Sequence, residues 1–537
     1  MIRWAQSVRG RDQIVLFAPT LQGAISEDHS VRLFDEVIGK LDFSEWEQHY
    51  QRVDGRPPIH PRVMAQVILY GLSLGIRSSR KLEDACTNRI DFLWLTEGRS
   101  IDHSTLAGFR VQFAEELKGM FRQIGRVAIG LGMVNLNQVA LDGTVKRASN
   151  SRYAVSRKVK LEQKLAALDQ QVQGLMDEAL ATDQKENELF GESSPTQLPR
   201  GLRDLKARQQ RLEKAMKKVL AIEARQRAAG RLSESGPATP TTDPDANLMK
   251  NKTGGFAPNH LIVLGTEGKN GLIVDYQVPA NPDEPSSVMP AIENLRESFG
   301  PDAVKELLAD SAFNTGSNLQ SLKDAEIEPW MPAKRSAVAP ENPAIAPENP
   351  AAAPGATSAA EPTPQLTPQS TDTGKSKIKP FDKSLFVFQG ASDTYRCPAG
   401  RSLTFWKNDS EKREGGITRI RVYRSTDCRN CPLAGQCLSN RNKNKIRTIG
   451  RDQHEPLREE MAARMNTQEG RAKYRRRSFL AETPFAVLNT SMNVIQLLLR
   501  GTEKVTAEVG WICSAYNIKK ITRLLATSRH LAMANTA

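Results

Sequence analysis

Val139-Ala140-Leu141-Asp142 is an apolar run closed by an acid, and Glu306-Leu307-Leu308-Ala309-Asp310 repeats the pattern downstream. Short apolar runs bounded by turn formers read as buried strands. Between them, residues 260–264 and 272–278 flank Glu267-Gly268-Lys269-Asn270-Gly271, a hairpin turn. Helical spacing follows at 288–295 and 318–322, and Glu328-Pro329-Trp330-Met331 reads as a further strand. The order strand, hairpin, helix, strand, helix, strand predicts an α/β layer with Asp142 and Asp310 at the ends of different strands. A late helix holding Glu482 can pack on that sheet.

Two aspartates at strand ends and a glutamate on a helix suit two-metal phosphoryl transfer. Carboxylate oxygens are hard ligands for Mg²⁺ or Mn²⁺, ions that keep open positions for phosphate oxygens. Two such ions stabilise the attacking and the leaving oxygen together. Each acid also has an ordinary reading: Asp142 as a turn former before Gly143, Asp310 as a helix cap, Glu482 as a surface acid.

Outward from this core the chain changes character. Residues 1–130 read as an all-α domain, with Pro61 opening one helix, Ser78 and Ser79 preceding another, and Ser104 or Thr105 capping a third that carries Leu106, Phe109, Phe113, Leu117, Phe121 and Ile124. Arg77, Arg80 and Lys81 lie among these helices, which fits either a helix-turn-helix-like DNA reader or a bundle with a solvated basic face. Within 151–230, leucines step by three and four along two arms separated by a polar stretch at 193–199, a helical hairpin insertion. It suits a dimerisation arm, a DNA brace or a structural insertion. Residues 337–380 are a proline-rich linker in which Ala-Pro-Glu-Asn-Pro recurs at 339 and 346. A Cys-rich module at 381–450 and a helical part at 451–537 complete the chain, the core itself beginning at 131–336.

Cys397, Cys428, Cys431 and Cys437 form a Cys-x30-Cys-x2-Cys-x5-Cys set that can close a structural Zn²⁺ site; reduced free thiols are the alternative. Cys86 and Cys513 read as core residues, and His60 and His103 as capping or packing residues. The chain of 537 residues has a formal net charge of +14, which favours a polyanionic partner. No apolar run is long enough to span a bilayer and no secretory leader is evident, so a cytoplasmic protein without a membrane partner is expected.

Several motifs, taken in order, resemble the DDE transposases of bacterial insertion sequences. They include Ser26-Glu27-Asp28-His29-Ser30-Val31-Arg32, the stretch 60–71, Gly75-Ile76-Arg77-Ser78-Ser79-Arg80-Lys81-Leu82-Glu83, and Asp102-His103-Ser104-Thr105. Leu141-Asp142-Gly143-Thr144, Asp243-Pro244-Asp245-Ala246 and Leu308-Ala309-Asp310-Ser311 continue the match. Tyr474, Arg477 and Glu482 fall on the family's Tyr-Arg-Glu-Lys signature, whose lysine position is here Asn489; Arg475, Arg476 and Arg500 are nearby cations. The resemblance implies a ribonuclease-H-like catalytic domain, a mixed sheet split by insertions. It implies Asp142, Asp310 and Glu482 as ligands of two Mg²⁺ (or Mn²⁺) ions, with Tyr474 and Arg477 orienting the scissile phosphate and the run Arg475 to Arg477 meeting the DNA phosphate backbone. The expected partners are double-stranded DNA, both terminal inverted repeats and target, and a second copy of the chain. The expected reaction is strand cleavage at the element ends and strand transfer into target DNA. The alternative is a catalytically decayed, DNA-binding descendant.

Overall fold

The computed structural model describes residues 20–50, 57–190, 200–251, 254–333, 381, 383–413, 416–438 and 446–534. The proline-rich linker and the polar stretch at 193–199 lie outside them. The chain divides into one unit formed by 1–332 with 464–537 and a second formed by 333–463.

In the first unit, among the described residues, seven α-helices come before the first strand: α1 (Ser30–Ile38), α2 (Ser44–Glu47), α3 (Pro61–Ser73), α4 (Ser79–Asn88), α5 (Ile90–Thr96), α6 (His103–Gln112) and α7 (Ala114–Gly130). Pro61 opens α3 as expected, and the His60 ring accepts from the Arg62 N–H as its cap. Gly75 follows α3 at φ +79°, where an added Cβ would stand 3.1 Å from the Ser491 carbonyl, so a side chain there is strained as well as crowded. The expected long helix from 104 is two helices broken at Phe113. Its cap is neither Ser104 nor Thr105: the Asp102 carboxylate accepts from both of their backbone N–H groups.

These helices share a core with the last helix, α15 (Thr502–Ala534). Trp46 stacks on Phe113 at 4.9 Å between ring centres and meets Trp511 of α15 edge-on at 5.9 Å. Arg77 is buried in the same region, donating to Glu508 of α15 at 2.7 Å and to the Asn493 carbonyl at 3.0 Å. Its guanidinium is therefore committed to the core, which corrects its reading as a DNA-facing residue. Arg80 and Lys81, on α4, are exposed.

The sheet begins with β1 (Gln138–Arg147), which does not end at Asp142 as expected but continues five residues beyond it. The reason is partnership: β5 (Phe256–Glu267) pairs with it antiparallel from Val139 through Arg147. Between β1 and β5 come β2 (Val155–Arg157), α8 (Lys158–Phe190), α9 (Arg200–Ala228), β3 (Ala238–Pro240) and β4 (Asn247–Lys250). Helices α8 and α9 are the expected hairpin, closed by Leu161, Leu168, Leu212, Ala215 and Val219. Gln209, which interrupts the apolar period, donates across the arms to Asp169 at 2.6 Å.

After β5 follow β6 (Ile273–Gln277), α10 (Val288–Phe299), β7 (Glu306–Leu308), α11 (Gly316–Asp324) and β8 (Glu328–Trp330), in the predicted sequence. The strand order is β4-β5-β1-β7-β8, with β6 on β5; β7 and β8 are parallel to β1 and to each other. Val139 and Leu141 pack toward α10 and α11, whereas Ala140, Leu308 and Trp330 pack against Leu480 and Ala481 of α14 (Gln468–Thr490) on the other face.

Asp275 of β6 is a buried acid of this layer, bonded by Gln277 at 2.9 Å and Asn294 at 3.1 Å, and burial pushes its carboxyl up to about 6. The folded state therefore holds the proton more tightly than the unfolded chain. The stability linked to that proton is complete below the unfolded value and is lost as pH rises through the folded one. The shift corresponds to roughly 3 kcal/mol. Unfolding of Asp275→Asn by urea is expected to show stability rising relative to wild type between pH 4 and 7; a constant difference would refute the assignment.

The second unit is a five-stranded antiparallel sheet of β9 (Val387–Gln389), β10 (Thr394–Arg396), β11 (Ser402–Arg413), β12 (Gly416–Arg424) and β13 (Thr448–Asp452). It also holds the short α12 (Ala434–Cys437), while α13 (Glu455–Asn466) leads back to the first unit. Tyr395, Leu403, Tyr423 and Ile449 are its buried centre.

Candidate active site

The register of β1 and β7 assembles the first two acids. Ala140 stands opposite Leu308 in this parallel pair. Asp142 and Asp310 each lie two residues farther on in the same direction, Asp142 within β1 and Asp310 just past the end of β7. Strand alternation puts Asp142 on the face of Ala140, the face that α14 covers. Asp310 follows the last residue of β7, and its carboxylate accepts from the Ala312 N–H at 2.7 Å.

Helix α14 brings the third acid. Pro484 lies inside this helix and has no N–H for the Leu480 carbonyl. The buried Thr266 hydroxyl donates there instead, at 3.2 Å, and also reaches the Ala140 carbonyl of β1 at 3.2 Å. One side chain thus fastens the interrupted turn to the strand that carries Asp142, with Glu482 in that turn. Lys473 fixes the helix farther back, at 2.5 Å from Glu306 and 4.2 Å from the centre of the Trp330 ring.

Arg477 donates to Asp142 at 3.0 Å and is only 7% exposed, with its Nε lacking a partner. Burial pushes the Asp142 carboxyl up, Arg477 pulls it back, and the charges of Asp310 and Glu482 raise it again. Asp142 thus lies close enough to feel the charge of both other acids. Tyr474 is 38% exposed, with the Arg477 guanidinium 5.9 Å from its ring centre. Arg475 is exposed, and Arg476 donates to the Gly268 carbonyl. At Asn489 the amide oxygen receives Lys146 of β1, which also donates to the Val494 carbonyl at 2.8 Å. A lysine therefore does stand beside this position, supplied by the strand.

Sequence reading missed Glu284. It lies just before α10, half-buried, and its carboxyl is pushed up by burial first and then by Asp310, Asp142 and Asp283. A Cβ built on Gly143 would stand 2.6 Å from its Oε1, so glycine beside Asp142 leaves the room that Glu284 occupies. Nothing in Asp283-Glu284-Pro285 announces this, because the proximity is made by the return of the chain. The motif acids Asp243 and Asp245 serve structure: they accept from the Gly501 and Thr502 N–H groups at the start of α15, and Asp243 also pairs with buried His260 at 2.9 Å.

In the second unit Cys397, Cys428, Cys431 and Cys437 line one pocket, with Phe381 and Arg447. Burial raises the Cys437 thiol, with Arg447 opposing. Four thiols facing one space are a donor set suited to zinc. Among the described residues, the trio of ligand atoms within 4.8 Å of one another is Glu83, Asp102 and His103; neither the thiols nor the acids at Asp142 form such a trio. No described helix is long and apolar enough to cross a membrane.

Fold and site together define an α/β protein that gathers acids from two parallel strands and a helix around a buried arginine. Two family models match the chain, a "Transposase DDE domain" over residues 396–522 and a "Transposase domain (DUF772)" over residues 19–112. Together the two matches indicate a DDE transposase of the insertion-sequence type. Glu482, Tyr474, Arg477 and the four clustered cysteines fall within the first match, and Arg77, Arg80 and Lys81 within the second; Asp142 and Asp310 lie between them. No curated protein matches the chain.

Proposed function

We propose that the protein cuts DNA strands at the ends of an insertion sequence and joins the freed 3′-hydroxyl to target DNA. The observation that carries this reading is the β1–β7 register, which sets Asp142 beside Asp310 under the helix of Glu482. The strand order, with β1 antiparallel to β5 and parallel to β7, and β8 parallel to β7 in turn, supports a ribonuclease-H-like core. The acids fit hard divalent cations, since Asp142 feels the charge of both other acids and Arg477 opposes them.

Asp142, Asp310 and Glu482 would hold a pair of Mg²⁺ or Mn²⁺ ions, which when bound stabilise the attacking and leaving oxygens of phosphoryl transfer. Arg477, bonded to Asp142 through one terminal nitrogen and free at Nε, is suited to hold a phosphate oxygen. Tyr474 and exposed Arg475 flank that approach, and Arg80 and Lys81 offer a second basic surface for duplex DNA. Two ends must be brought together, and the α8–α9 hairpin suits a dimer contact. The thiol pocket suits one structural zinc per chain; metal analysis finding none would remove that element.

Purified full-length protein is expected to nick DNA carrying the element's end in Mg²⁺ and not in EDTA. Binding without nicking would instead favour the catalytically decayed reading.

A further inference from the structure

The three motif acids leave one carboxylate of the site without a role. Glu284 enters from the opposite side of the sheet. Gly143 shares its face with Val139 and Leu141, which pack toward α10, and Glu284 lies three residues before the buried Ser287 that leads into that helix. Strand β7 ends at Leu308, whereas β1 runs on to Arg147. Past Asp142, therefore, β1 has no β7 partner on that side, and the carboxylate of Glu284 reaches the strand backbone there. Its Oε1, Cδ and Cγ stand 2.6, 2.9 and 3.1 Å from where a Gly143 Cβ would be. The same carboxylate feels the charges of both Asp310 and Asp142.

A gathering of acids alone does not define a ligand site. Here a second feature points to a ligand: Arg477 is more than nine-tenths buried, reaches Asp142, and keeps Nε unpaired. A buried donor facing acids suits a bound group that carries both cation and anionic oxygen.

We propose that Glu284 is a fourth carboxylate of the cation site, reaching it beside Asp142 through the gap left by the absent side chain at Gly143. It holds a cation directly or through a bound water. The inference rests on the proposed function above, because it assigns Glu284 to the same cation site. Removing its charge weakens the cation, and so does displacing it. Gly143→Ala does the latter, because the atoms in the way belong to the movable end of a side chain.

The test is titration of full-length protein with Mn²⁺ in the absence of DNA, with free Mn²⁺ followed by electron paramagnetic resonance. Glu284→Gln is expected to raise the Mn²⁺ dissociation constant about 10-fold or more, the range seen when groups supporting a metal site are removed. Gly143→Ala is expected to weaken binding in the same direction with an unchanged melting temperature. Asp283→Asn, the exposed neighbour, is expected to stay within about 2-fold, since surface charges act weakly through water. Wild-type affinity in Glu284→Gln alongside lost binding in Asp142→Asn overturns the inference and leaves the proposed function standing. An equal loss in Asp283→Asn also overturns it, because the effect is then one of general charge. Absence of Mn²⁺ binding in the wild type removes the proposed function and this inference together.

Discussion

Asp142→Ala is expected to lower metal-dependent nicking by about 10³-fold or more while duplex binding persists. Its strand is held on both sides, antiparallel to β5 through Asp142 itself and parallel to β7 up to Ala140. Charge stabilisation by a metal is worth several kcal/mol, and each 1.36 kcal/mol is a factor of ten in rate. The substitution also strands Arg477, whose guanidinium is buried and bonded to this acid. Asp142→Asn is the cleaner companion, since its amide oxygen still accepts from Arg477. Both variants should lose nicking; only the alanine variant should also lose thermal stability. A gel-shift titration run beside the cleavage assay separates binding from chemistry.

Arg77→Ala is expected to destabilise the fold by about 3–5 kcal/mol, the cost of leaving one member of a buried ion pair behind. Its partner Glu508 also accepts from the Leu498 and Leu499 N–H groups at 2.8–3.0 Å. That carboxylate therefore organises the turn before α15 as well as the contact with the N-terminal helices. The double variant Arg77→Ala with Glu508→Gln should recover part of the loss, because no uncompensated charge remains. Arg80→Ala should behave in the opposite way, changing stability by no more than about 0.5 kcal/mol as an exposed residue, while weakening DNA binding and its salt dependence. Urea unfolding and filter binding of the two single variants distinguish a structural arginine from a DNA-facing one. Equal stability of the two would contradict the burial of Arg77.

The contrast between these arginines shows what sequence can and cannot convey. Arg77 and Arg80 occupy one short basic stretch, and nothing local tells that the first turns inward to a glutamate more than 400 residues away. The alternation of strands and helices from 260 to 331 was legible because each element has its own apolar period and turn signals. The end of β1 was not, since its extension beyond Asp142 is imposed by pairing with β5 rather than by apolar content. The strands of the second unit were obscured in a similar way. β11 and β12 are rich in lysine and arginine, and a bulge between Phe405 and Lys407 breaks their alternation. In the site, motif order pointed to Asp142, Asp310 and Glu482, whereas Glu284 and Lys146 became visible only through contacts made across the chain. The helix break at Phe113 belongs with these: its ring stacks on Trp46, and tertiary packing overrides the run of helical spacing.

The claim that one cluster of acids performs the chemistry is tested most directly by the Mg²⁺-dependent nicking rate of Asp310→Asn and Glu482→Gln. Each is to be measured on end-containing DNA with binding checked in parallel. Assembly of both acids with Asp142 predicts that each variant binds DNA as wild type does and nicks it at about one-thousandth of the rate or less. Wild-type nicking by either variant would contradict it.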